Sequence, residues 1–493
     1  MMKNVGKTNK RLLAAALIIL LLLPVSGIAS ATGEQAPVNL SKNCSYSCST
    51  GTQHLKTLLG DSDYTTLVRL PKDAWVSVSW AGQNVDFVYW EWTDKQGVDP
   101  APFTVELLNA SGDVVETREG DRFWNSGFEV GDGIAGVRIR AGGEAWLATL
   151  IPYSGGAPYD YHPWLPTPEK TDFLVISTHP DDDTIFMGAM IPTYGAERGL
   201  SGSLLYMVSR KRVRRSEALN GAWIMGLRTY PHFAGMADVS NRQKEERADE
   251  FKVEDVEREI VRYIRRVKPE VVITHDTRGE YGHWQHVVVS SAAQYAVIDA
   301  ANPSYDPESY EIYGTWQVKK LYLHLYKENP IFISATVPLE AFGGMTAWEV
   351  AQKAYDCHKS QNQANHPCNN KNEASLEKFG LAFTTVGKDT GINDMFENIP
   401  PEVLTNYVPP APTETPTPEP TATPEPTPEL TPQPTEAPTP EPTIDPTAKP
   451  TEAPTTPIQR MGKRGLAAFA GGTVFILLAI LILFIVYLSK RKK

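Results

Sequence analysis

From residue 409 to 457 a proline stands at every second or third position, beginning "PPAPTETPTPEPTATPEP". Proline holds φ at about −65° and removes a backbone donor, so such a stretch builds neither helix nor sheet and favours polyproline II. Fully extended, its 49 residues would reach about 150 Å at roughly 3.1 Å each. The segment divides the chain, because a packed core has to lie before it. It reads as a disordered Pro/Thr-rich stalk; a proline-rich ligand for recognition domains is the other reading.

The two ends read as targeting and anchoring segments. Lys3, Lys7, Lys10 and Arg11 precede "LLAAALIILLLLPVSGI", and "ASA" offers small residues for cleavage after Ala31, so residues 1–31 are expected to be a signal peptide. Residues 465–488, "GLAAFAGGTVFILLAILILFIVYL", carry no charge and at about 1.5 Å per residue are long enough for a tilted transmembrane helix. The basic tail 489–493, "SKRKK", outweighs Lys463 and Arg464 and predicts a cytoplasmic C-terminus. The expected localisation is the cell membrane, single-pass, with the N-terminal domains extracellular. Residues 32–408 hold 35 basic and 50 acidic residues, a net of −15. That field excludes a general affinity for nucleic acid. Cys44 with Cys48 and Cys357 with Cys368 form two close pairs; in an exported chain two local disulfides are expected, with zinc ligation the other reading.

Two folded units are expected between the ends. Residues 38–155 carry short alternating segments such as "WVSVSW", "VDFVYWEW", "AGVRIRA" and "EAWLATLIPYS", with "ASGDV" as a hairpin turn; these predict an all-β sandwich. From 170 to 395 the grammar becomes strand–helix–strand. "DFLVIS", "GSLLYMVS" and "VVITHD" alternate with "VRRSEALNGAWIMGL" and "VEDVEREIVRYIRRV", an α/β pattern that predicts a Rossmann-like parallel sheet. Ligands in such sheets sit beyond the carboxyl ends of the strands.

At two such ends the sequence concentrates chemistry. "THPDDD" places His179 ahead of Asp181, Asp182 and Asp183, and "EYGHWQH" places His283 and His286 three apart, on one face of a helix start. Three adjacent carboxylates repel unless a cation, protons or solvent offsets the charge. His179, Asp182 and His286 form a three-ligand set of the kind that leaves zinc, or another divalent metal, a position open for water. Asp181 is then free to act as a base, and His283 as an acid or carbonyl polariser.

These motifs resemble the LmbE/PIG-L family of zinc-dependent deacetylases of N-acetylated amino sugars. The resemblance runs from "DFLVISTHPDDD" through "RRSEALNGAWIMG" and "VVITHDTRGEYGHWQH" to "KAYDCHKSQ". It implies metal binding by His179, Asp182 and His286, a general base at Asp181 and a catalytic partner at His283. It further implies substrate contacts at Arg214, Asp238 and Tyr281. The chain departs from HPDDE at Asp183 and from GHPDH at Trp284 and Gln285, where a lost carboxylate bears on the orientation of His283 or on the metal's surroundings. The segment "LLGDSDYTTLVRL" and the strands after it are similar to discoidin-like, galactose-binding-like modules, which implies a sugar-binding role.

The basic run "RKRVRR", 210–215, reads either as a solvated helix face or as a grip for a phosphate-bearing substrate. His358, Ser360 and Gln361 are expected at the fold or the pocket's edge, and His54, His162 and His366 at the surface. The expected function is a membrane-anchored, extracellular hydrolase of N-acetylglucosamine-type amino sugars, with cell-wall glycan a further partner of the sandwich. The alternative is a surface carbohydrate-binding protein or adhesin with an inactive deacetylase-like domain.

Overall fold

The computed structural model describes residues 36–405 apart from 62, 64, 94–98, 210 and 362–367. The expected signal peptide, stalk, transmembrane helix and basic tail lie outside the described residues. Among the described residues no helix is long and apolar enough to cross a membrane.

The first part is two antiparallel five-stranded sheets. Its strands are β1 (Val38–Asn39), β2 (Ser45–Cys48), β3 (Val68–Leu70), β4 (Trp75–Ser79), β5 (Phe87–Thr93), β6 (Phe103–Leu108), β7 (Val114–Glu119), β8 (Asn125–Glu129), β9 (Gly136–Ala141) and β10 (Ala145–Ser154), with one short helix, α1 (Leu55–Gly60). One sheet runs β1-β10-β5-β8 with β3 beside β10, and the other runs β2-β4-β9-β6-β7. Alternate residues from each, among them Val76, Val78, Trp90, Trp92, Val105 and Ile139, fill the space between, as the two-residue period of a strand requires. β5 is apolar on both faces because both are covered. Phe87 and Tyr89 on its outer face pack with Ile151 and Tyr153 of β10 and with Tyr161 of the connection that follows.

The second part is a seven-stranded sheet, in the order β13-β12-β11-β14-β15-β17-β16. Its strands are β11 (Phe173–Ser177), β12 (Gly202–Val208), β13 (His232–Met236), β14 (Val271–Thr274), β15 (Lys320–His324), β16 (Pro330–Phe332) and β17 (Lys378–Thr384). The first five are parallel, and β17 and β16 complete an antiparallel edge. The helices are α2 (Asp182–Ile185), α3 (Arg212–Ile224), α4 (Lys244–Arg247), α5 (Val253–Val267), α6 (Trp284–Asp299), α7 (Pro307–Tyr313) and α8 (Ala347–Tyr355). α5 and α6 cover one face, while α3 and α8 cover the other. Burial on both faces is why β11, β12 and β14 read as unbroken apolar runs. The chain leaves β11 to one side for β12 and β13, then crosses to β14 on the other. The gap between the carboxyl ends of β11 and β14 is therefore the switch point where ligands bind in such sheets.

After the acidic turn the chain forms α2 and then a π-helical turn at Ile191–Glu197, which carries Pro192 near its start. Three expectations change. Arg212, Arg214 and Arg215 are buried. None of them forms a solvated face, and Arg212 and Arg215 are tied to carboxylates away from the cavity, whereas Arg214 lines it; Arg210 lies outside the described residues. His162 is no free surface residue, since it hydrogen-bonds Asn220 at 2.7 Å and stacks on Trp223.

The four cysteines are free thiols, against the two disulfides expected. Cys44 is extended and leads straight into β2, which ends at Cys48. Four residues of strand separate their Cα atoms by about 13 Å, at roughly 3.3 Å per residue, whereas a disulfide spans at most about 7 Å. Cys357 Sγ meets Tyr159 at 3.5 Å, while Cys368 Sγ is turned to the Thr184 carbonyl at 3.5 Å.

Candidate metal centre and active site

Buried β11 delivers His179 to Asp183, and buried β14 delivers His275 to His286. The two turns are locked together before any side chain reaches the pocket. Thr274 Oγ1 donates to the Ile176 carbonyl at 2.9 Å, and Thr178 N–H donates to His275 Nε2 at 3.0 Å. His179 N–H donates to Asp182 Oδ2 at 2.7 Å, which folds the acidic turn onto its histidine.

Three ligand atoms converge there. His179 Nδ1 lies 3.0 Å from Asp182 Oδ2 and 3.2 Å from His286 Nε2, and those two are 3.2 Å apart. Donors bonded to one tetrahedral zinc at about 2.1 Å would lie roughly 3.4 Å from one another, so the triangle has the right size for one ion. Hydrogen bonds behind the rings also set the tautomers. His286 Nδ1–H donates to Glu280 Oε2 at 2.8 Å, and His179 Nε2–H donates to Gln285 Oε1 at 3.2 Å. With these outward N–H bonds made, each inward nitrogen offers a lone pair beside the Asp182 carboxylate once His286 gives up its second proton, a donor set that calls for a cation. Burial works against a charged His286, but Asp182 and Glu280 overcome it and raise the imidazole to about 10. His275 is close, with Nε2 3.7 Å from Asp182 Oδ2, yet Thr178 N–H occupies that nitrogen. His275 therefore supports the site from behind.

Glu280, which the sequence reading passed over, is the hub of this support. Fully buried, it accepts from His286, from His275 Nδ1 at 2.9 Å, from His324 Nδ1 at 2.7 Å and from Asp276 N–H at 3.0 Å. Burial raises the pKa of its carboxyl, but the surrounding histidines outweigh that and hold it well below the usual range. Gln285, noted only as a departure, accepts from Val239 N–H at 3.1 Å and donates to the Ala237 carbonyl at 2.9 Å. It is anchored on two sides and orients His179. Its position between two histidines was the available signal; for Glu280 the signal was a lone acid just before them.

The three aspartates have three different states. Burial disfavours the charge on Asp182, but His286 and His179 outweigh it and keep the group ionised. Asp181 is raised to about 6, by burial first, against the opposing pull of Arg214. Arg214 Nη2 donates to Asp181 Oδ1 at 2.5 Å and to the Pro180 carbonyl at 2.7 Å. Asp183 is pushed up to about 8 by burial, against which Tyr206 Oη–H, at 3.0 Å, and its own backbone N–H favour the charge. At neutral pH two carboxylates each face cationic partners while the third keeps its proton, which relieves the repulsion in the motif.

A cavity of about 260 Å³ opens onto His179 and Asp182. Asp181, Arg214, Asp238, Tyr281 and His283 line it, together with Tyr355 and Gln361. Arg214, expected to meet substrate, spends a donor on Asp181. Asp238 Oδ1 stands 4.0 Å from His179 Nε2, and Tyr281 is 44% exposed at the mouth with φ +46°. His283 packs its ring 4.7 Å from that of His179. Burial, then the neighbouring His179 and His286 imidazoles, depress it to about 3, so it is neutral at ordinary pH. His358 is buried behind the cavity, and Ser360 Oγ–H donates to Glu217 at 2.6 Å.

Residues 174–297 match the PIG-L family model, described as GlcNAc-PI de-N-acetylase. Among curated proteins, the chain is 28% identical over 178 residues to 1D-myo-inositol 2-acetamido-2-deoxy-alpha-D-glucopyranoside deacetylase 1 of Frankia casuarinae, covering 30% of this chain and 57% of that one. It is 29% identical over 184 residues to the corresponding deacetylase of Geodermatophilus obscurus, covering 32% and 61%. The chain thus spans about three-fifths of the length of these relatives. Among solved structures, N,N'-diacetylchitobiose deacetylase from Pyrococcus horikoshii aligns with a TM-score of 0.31 and 18% identity, over 41% of this chain and 75% of that one. A likeness that slight bears on neither fold nor function.

Proposed function

We propose that the protein is a zinc-type, metal-dependent amide hydrolase that removes the acetyl group from an N-acetylglucosamine-type amino sugar. One observation carries this reading: the mutual approach of His179 Nδ1, Asp182 Oδ2 and His286 Nε2 to 3.0–3.2 Å, with Asp181 at the same turn. The match of residues 174–297 to a de-N-acetylase family and the deacetylase names of the curated relatives support the choice of bond.

His179, Asp182 and His286 would hold the ion, which when bound supplies Lewis acidity toward water and the amide carbonyl. Asp181, titrating at about 6, is ionised at neutral pH, accepts the proton of the attacking water and returns it to the amine nitrogen as the C–N bond breaks, leaving acetate and the free amino sugar. Arg214 keeps that carboxylate in place. Neutral His283 donates an N–H toward the carbonyl oxygen as negative charge develops on it, the way preorganised donors lower such barriers. Tyr281, Asp238 and Gln361 stand at the mouth, placed to meet sugar hydroxyls.

The reading extends to location. The apolar segment 465–488 and the leader 1–31 support an extracellular enzyme held by one C-terminal helix, with the galactose-binding-like sandwich meeting glycan. Acetate release from a panel of N-acetylated amino sugars, free and polymeric, with and without chelator, tests the chemistry. Chelator-sensitive release is expected. A metal-loaded protein that deacetylates none of them would refute the enzyme and favour a surface carbohydrate-binding protein. Protease treatment of intact cells should remove residues 32–408 while leaving the C-terminal tail protected.

A further inference from the structure

α3 starts without a cap of its own: Lys211 precedes it and makes no side-chain capping bond. Its first turn is held by the sandwich. Arg212 donates from Nε to Glu91 Oε1 at 3.0 Å and from Nη2 to Glu91 Oε2 at 2.8 Å, a two-pronged pair with a carboxylate on β5. The same guanidinium donates to Thr149 Oγ1 of β10 at 2.8 Å and to the Asp63 carbonyl at 2.6 Å. One turn on, Arg215 donates to Asp99 Oδ1 at 3.0 Å and lies 3.7 Å from the ring centre of Trp124 and 4.0 Å from that of Phe233.

Residues three apart share a helix face, whereas a residue two along points about 200° round. Arg212 and Arg215 therefore face the sandwich, and Arg214 faces the site, where it grips Asp181 and the Pro180 carbonyl. Asp181 needs such a grip. Its backbone sits at φ +151°, ψ −24°, a conformation that a non-glycine residue keeps only where its surroundings over-determine it.

We propose that the sandwich is a positioning element of the α/β site: Glu91 and Asp99, through Arg212 and Arg215, fix the helix turn that aims Arg214 and so hold Asp181 in its strained place. The fused module is then part of the catalytic geometry, whatever glycan it also binds. Glu91, Asp99, Arg212 and Arg215 are positioning residues, since none of them lines the cavity. The kinetic half of this inference rests on Asp181 acting in the hydrolysis proposed above; the structural half does not.

Two readouts on the full-length protein test it. In Glu91→Gln, amide hydrogen exchange should quicken at least about 10-fold both at 211–216 and at 178–186, with α5 unchanged, because local opening follows the contacts that close it. With an N-acetylglucosamine oligomer as substrate, kcat should fall by about 10- to 100-fold, the range for a displaced reacting group, with KM within about twofold. In an Arg214→Ala background the same substitution should lower kcat no further, because the two act through one path. Faster exchange confined to 211–216, or losses in kcat that simply multiply, would overturn the proposal. Should Glu91→Gln unfold the chain, Asp99→Asn is read the same way, since that carboxylate is already 28% exposed. If the wild-type protein releases no acetate, the proposed activity fails, and the exchange pattern still decides the coupling.

Discussion

Replacing Glu280 with Gln keeps the shape of the hub and removes its charge. The wild-type carboxylate accepts four hydrogen bonds, three of them from His275, His286 and His324. A carboxamide offers one oxygen and one NH2, so one of the two edges that now accept must present hydrogens to ring N–H groups. If that edge faces His286 and His275, His286 loses the bond that holds its Nδ1–H outward and its Nε2 lone pair toward Asp182. Removing such a partner of a ligating histidine typically lowers metal affinity about 10- to 100-fold, which is about 1.4–2.7 kcal/mol. Under excess metal, linkage makes the metal-dependent part of the stability fall by the same amount. Competition against a chromophoric chelator measures the first, and denaturant unfolding with and without metal measures the second. Neither needs turnover. A folded Glu280→Gln variant whose metal affinity stays within about threefold of wild type would refute the orienting role.

Asp181→Asn should keep its metal while turnover of an acetylated amino sugar falls by about 10² to 10⁴, the usual loss of a general base; acetate release and elemental analysis read the two separately. Gln285→Leu removes the acceptor for His179 Nε2–H and leaves the Val239 and Ala237 backbone groups unpaired, so metal affinity should drop about 10-fold or more in a chelator competition. Asp183 titrates at about 8 when folded and at about 4 when unfolded. The folded state then holds the extra proton between those values, and its contribution to stability is full below about pH 4 and lost as pH rises through 8. Asp183→Asn should flatten that fall in metal-free protein, seen as a smaller drop in unfolding midpoint from pH 5 to 9. An unchanged pH slope would mean that Asp183 is ionised in the fold.

Much of this molecule follows from local rules that a sequence obeys before it folds. The two-residue alternation of β4 and β9 and the unbroken apolar runs of β11, β12 and β14 declare half-covered and fully covered strands. Spacing alone puts His179 and Asp182 on one turn, and His283 and His286 on one helix start. Carbonyl-terminal placement on a parallel sheet then predicts that the two groups meet. What spacing leaves open is which distant group each side chain meets. Glu280 becomes a hub because β15 brings His324, 44 residues further along, to its other oxygen. The tautomers of His179 and His286, and hence which nitrogen faces a metal, are set by Gln285 and Glu280 from behind. The basic run 210–215 reads as one patch in the chain, yet the 3.6-residue turn of α3 sends Arg212 and Arg215 to the sandwich and Arg214 to Asp181. Cys44 and Cys48 look paired along the chain, but an extended strand holds them apart. Local pattern determines what a segment is and which residues share a face; the order of strands, and the surfaces that close over them, decide charge, tautomer and partner.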